Sequence, residues 1–98
     1  MFGNDDFGKE ILEQLVNKQI DFDSIQIDQE HLTGIVNVEF KEGQPSYEIV
    51  ENVAWDFLEL TEKWCEIAQN ADAVCFGSLA QRNEVSGKTI REFVGLVK

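Results

Sequence analysis

The apolar residues of this chain change their period part-way along it. Between residues 24 and 50 they tend to alternate, and from residue 54 onward they recur every third or fourth position. Alternation places one face of an extended strand against a core, and a 3.6-residue period does the same for a helix. A chain with both cannot be all-α or all-β. Its 98 residues, 43% of them hydrophobic, suit one globular domain with its own core.

Residues 4–18 read as a helix capped by Asp5 or Asp6, with Phe7, Ile11, Leu12, Leu15 and Val16 on one face. A turn over 19–23 leads into an alternating strand, Ser24–Asp28, and a second strand runs over Gly34–Phe40 with Val36, Val38 and Phe40 on one side. Lys41-Glu42-Gly43-Gln44-Pro45 is a turn signal, so Ser46–Val50 returns as the other arm of a hairpin. The three strands are expected to form one small antiparallel sheet. Phe57, Leu60, Trp64, Ile67 and Ala68 then predict an amphipathic helix over 54–69, ended by Asn70-Ala71-Asp72. Ala73-Val74-Cys75-Phe76, stopping at Gly77, reads as a strand buried on both faces. Asn83 caps a last helix whose face is Ile90, Phe93, Val94 and Val97, with Gly87 inside it costing about 1 kcal/mol relative to Ala. The order α, three β, α, β, α is that of an α/β fold.

Charge narrows the functions. Nineteen Asp and Glu against eight Lys and Arg give a net charge of -11. Capture of nucleic acid needs the opposite sign, and so does an anionic membrane surface. No stretch is apolar for long enough to span a bilayer, and the N-terminus does not read as a signal peptide. Cys65 and Cys75 do not make a disulfide framework; both are expected to be reduced, buried or half-buried thiols of a cytoplasmic protein. His31 and the two cysteines fit no compact metal-ligand spacing, so no metal site is expected. Asp21, Asp23 and Asp28 lack the glycine and terminal glutamate of a calcium loop and read as solvated turn carboxylates. No glycine-rich run resembles a nucleotide-binding fingerprint.

Two places remain as candidate ligand sites. Gly77-Ser78-Leu79-Ala80-Gln81-Arg82 follows the predicted buried strand, where open α/β sheets bind ligands. There Gly77 allows close approach, Ser78 offers a hydroxyl and Arg82 a forked donor; an ordinary strand-to-helix loop is the competing reading. The second is Tyr47 with Trp55, aromatics suited to a sugar face or to a core.

In order and spacing these residues resemble part of a ribokinase-like (PfkB-type) carbohydrate kinase, closest to the fructokinase branch. Gly3-Asn4-Asp5-Asp6-Phe7-Gly8 is similar to the family's segment where a core strand enters a helix. Thr33-Gly34 resembles the start of its lid strand, and Pro45–Val50 with Ala54-Trp55-Asp56 the returning lid strand and the helix start after it. Ala73–Arg82 is similar to the following strand and loop of the fructokinase branch. The resemblance implies an α/β fragment within 1–98: lid-like strands over about 24–50, and a core helix–strand–helix over about 54–97. It implies substrate contacts from Tyr47, Ile49, Trp55, Gly77, Ser78 and Arg82, with a fructose-like hexose as substrate. ATP and Mg²⁺ belong to the full-length parent.

The family's opening strand with its double glycine, and its Gly-Ala-Gly-Asp segment bearing the catalytic base, have no counterpart here. The chain is therefore expected to be a fragment without a catalytic residue or cofactor of its own, inactive as a kinase. The alternative is a non-enzymatic module that self-associates, as a homodimer, through its lid or its open strand edges.

Overall fold

The computed structural model of the chain describes residues 1–97. It is a small α/β structure, with strands β1 (Phe2–Gly3), β2 (Ile27–Asp28), β3 (Val36–Lys41) and β4 (Gln44–Ile49). The helices are α1 (Asp6–Asn17), α2 (Glu62–Asn70) and α3 (Glu84–Leu96), joined by two 3-10 turns, Ala54–Phe57 and Leu79–Gln81.

The helix ends form as the sequence dictates. The Asp5 carboxylate accepts from the N–H of Gly8 at 2.8 Å and starts α1. Asn83 accepts from the N–H of Val85 at 2.9 Å and starts α3. The hairpin forms too, with Val36 opposite Ile49, Val38 opposite Tyr47 and Phe40 opposite Pro45. The connection is tighter than the five-residue turn signal suggests, because only Glu42 (φ 53°) and Gly43 (φ 79°) turn the chain. Two consecutive left-handed residues twist the backbone in the sense that matches paired strands. Directly opposite residues share a face, so Val36, Val38, Phe40, Pro45, Tyr47 and Ile49 make one apolar face, and Asn37, Glu39, Ser46 and Glu48 line the polar one.

Four expectations are corrected. Ser24–Asp28 does not join the hairpin: only Ile27–Asp28 is strand, and it pairs in parallel with Phe2–Gly3. Phe2 is buried there, and a strand that short carries no periodic signal. The helix over 54–69 is broken at Leu58. The Ser86 hydroxyl of α3 accepts the Leu58 N–H at 2.8 Å, and the Thr89 hydroxyl donates to the Leu58 carbonyl at 2.7 Å. Both groups that would continue the helix ladder are thus taken, and Thr61 caps a new helix by accepting from the N–H of Trp64 at 3.2 Å. Residues 73–77 are irregular rather than a strand, with Phe76 54% exposed, because no strand lies beside them to satisfy their backbone groups among the described residues. Cys75 is accordingly exposed rather than buried, while Cys65 is half-buried; both are free thiols.

The core is small. Phe2, Val53, Ala54 and Ala68 are its buried apolar residues, accompanied by Thr33, Asp56, Ser86 and Thr89. Trp64 of α2 meets Phe93 of α3 edge to face at 5.8 Å. Much of the predicted apolar face of α1 is uncovered: Phe7, Ile11 and Val16 are exposed, and Leu12 and Leu15 half-buried. The accessible surface is 7305 Å², whereas a compact monomer of this mass exposes about 5,700 Å². The radius of gyration, 15.3 Å, likewise exceeds the roughly 13 Å of a compact chain of this length.

Candidate functional site

Polar groups converge where the hairpin joins the rest of the chain. Asp56, on the first 3-10 turn, is 1% exposed, and Arg82 follows the second turn with its side chain 19% exposed. Arg82 Nε and Nη2 hold the two oxygens of Asp56, each at 2.8 Å. Nη2 also donates to the Val50 carbonyl at 2.7 Å, and Nη1 to the Ile49 carbonyl at 3.4 Å. The guanidinium lies over the Trp55 ring, 4.1 Å from its centroid. A planar fork meets a carboxylate and two carbonyls at once, which a lysine ammonium does not. The Arg82 hydrogen bond, against the cost of burial, holds the Asp56 carboxyl below the usual range. Glu51, Asn52 and Asn83 complete this small cleft.

A second carboxylate node sits at the other root. Asp5 accepts from the Thr33 hydroxyl at 2.5 Å and from the Thr33 N–H at 2.8 Å, in addition to Gly8. These bonds, the hydroxyl first, lower its pKa. Thr33 Oγ1 in turn accepts from the Gly3 N–H at 2.9 Å. Asp28 is half-buried rather than solvated. Burial pushes its pKa up, but bonds from the Glu30 N–H and from the His31 ring and N–H more than offset this. His31 stacks on Phe57 at 3.8 Å.

Of the sequence-predicted residues, the structure brings together Ile49, through its carbonyl, Trp55 and Arg82. Tyr47 stands farther out on the apolar hairpin face, 65% exposed. Gly77 and Ser78 precede the second 3-10 turn, where their carbonyls accept from the Gln81 side chain and N–H. Arg82 pairs with Asp56, not with its sequence neighbour Glu84. Asp56, and Asp5 with Thr33, are what sequence reasoning missed as a set. Each pairing spans more than twenty residues, and one acidic residue among nineteen carries no local mark.

Acid should weaken all three nodes. A carboxylate with a lowered folded pKa contributes stability that is full above its unfolded value and is lost as pH falls through the folded one. Urea midpoints followed by circular dichroism are therefore expected to be flat near neutrality and to fall below about pH 4. A midpoint that holds steady from pH 7 down to about pH 3 would contradict this.

No family model matches the chain. A sugar kinase of Pyrococcus horikoshii is 31% identical to it over 96 residues, which is 98% of this chain and 31% of the relative. A crystal structure of that kinase aligns with a TM-score of 0.80 at 30% identity, over 96% of this chain and 32% of the kinase. Its complex with ATP gives a TM-score of 0.78, again over 96% of this chain. The chain is similar to one stretch of a sugar kinase. It spans about a third of that kinase's length. The sugar-kinase resemblance of the sequence and its α/β class agree with these comparisons. No helix among the described residues is long and apolar enough to cross a membrane.

Proposed function

We propose that the chain is the lid-bearing part of an ATP-dependent sugar kinase of the PfkB type, fructokinase-like, that phosphorylates a sugar hydroxyl in the cytoplasm. The observation that carries this reading is a TM-score of 0.80 at 30% identity across 96% of the chain. In this reading the sugar lies against the apolar hairpin face, with Tyr47, Ile49 and Trp55 on the lid side and Gly77 and Ser78 on the loop side. Arg82 stands at the base of the lid, with its Nε, Nη1 and Nη2 held by protein oxygens of Asp56, Ile49 and Val50. ATP and Mg²⁺ are bound elsewhere in the full-length enzyme. Phosphoryl transfer needs a positioned base and charge stabilisation of the transferring group, and the Gly-Ala-Gly-Asp segment that supplies them in the family is absent from this sequence.

The purified chain is thus expected to leave ATP consumption at background in a coupled assay with fructose, ribose and related sugars. Sugar-dependent turnover that tracks the purified chain would overturn the inactive-fragment reading. The uncovered apolar face favours one second reading, a self-associating module, which the association measurement in the Discussion addresses.

A further inference from the structure

The hairpin β3–β4 packs against no other helix or strand among the described residues. Its angle to the rest of the chain is therefore set at its two roots. Between them only two backbone bonds among the described residues, Val50 N–H to the Ile35 carbonyl at 3.2 Å and Ala54 N–H to the Leu32 carbonyl at 2.7 Å, continue the pairing inward. The entering root is held by Asp5 on Thr33, and the leaving root by Arg82 on the carbonyls of Ile49 and Val50. Trp55 joins the two sides: its indole lies against Gly34 on the entering root and under the Arg82 guanidinium on the leaving one. A Cβ at residue 34 would collide with that ring.

We propose that the Asp56–Arg82 fork, with the Asp5–Thr33 latch, is a clamp that fixes the orientation of the hairpin, and that Arg82 is a positioning residue for this lid rather than a ligand contact. Elements usually hold their relative angle by interlocking side chains. Here the hairpin's apolar face is uncovered, with Phe40 74% exposed, so directional polar bonds at the root do that work. Arg82 reaches strand carbonyls and a carboxylate that is itself fixed on the 3-10 turn by accepting from the Val53 N–H at 3.3 Å. The one other charged side chain lining that cleft is Glu51, whose negative charge reinforces the guanidinium. The clamp is a property of this chain and stands whatever sugar, if any, the lid covers.

Spin labels on Glu39→Cys and Lys88→Cys, in a Cys65→Ser, Cys75→Ser background diluted with unlabelled chain, report the hairpin's angle to α3. The parent is expected to give a narrow distance distribution. Arg82→Ala should broaden it about two-fold or more while helix circular dichroism stays unchanged, as a freed hinge requires. Arg82→Lys should broaden it as well, because a point charge does not bridge the three acceptors. Unchanged widths in both variants would overturn the clamp. If Arg82→Ala loses its helices, acid titration of the parent decides the matter. The width should rise as pH falls below about 4 before helix signal is lost. A single step in which both change together would overturn the proposal.

Discussion

Asp56→Ala is expected to destabilise the chain by about 2–3 kcal/mol, from the loss of charge-assisted bonds and the stranding of a partly buried guanidinium. Asp56 is nearly fully buried and joins three separated parts of the chain: its own 3-10 turn, the Arg82 segment and, through Arg82, the end of β4. A core this small leaves little reserve, so the loss should remove much of the cooperative transition in urea. The control is the double variant Asp56→Ala, Arg82→Met. It removes both partners and should be less destabilised than the single variant, because no charge is left without its mate. Equal destabilisation of the two would show that the carboxylate acts through packing alone.

The second large effect is association. The chain exposes about 1,600 Å² more than a compact monomer of its mass, on the area scaling of folded proteins. A standard interface covers about 800 Å² on each partner, so the excess is enough for a stable dimer. Light scattering at micromolar concentration is expected to report a dimer or larger species. Phe40→Ser with Tyr47→Ser, on the apolar hairpin face, should shift it toward monomer. A monodisperse monomer across the whole concentration range would remove the self-association reading. The lid-bearing kinase reading would then remain, with its apolar face left for substrate and for the rest of the enzyme.

Legibility followed the range of the interactions. The caps at Asp5 and Asn83 were readable because each bond spans two or three residues. The hairpin was readable because Val36–Ile49 alternates around a turn signal, although the turn itself proved to be Glu42-Gly43. The break at Leu58 was not readable, since its causes, Ser86 and Thr89, lie 28 and 31 residues away. For the candidate site, the sequence pointed to Arg82 and Trp55 but not to Asp56, the partner that decides what Arg82 does.

An α/β chain with capped helices, one hairpin and an acidic surface follows from residue type and spacing along the chain. Tertiary structure decided the rest. It paired Phe2–Gly3 with Ile27–Asp28, left residues 73–77 outside any sheet, and turned Arg82 inward onto Asp56 and the end of β4. Strand pairing and buried ion pairs depend on which distant segments lie within hydrogen-bonding reach. Local periodicity does not contain that information.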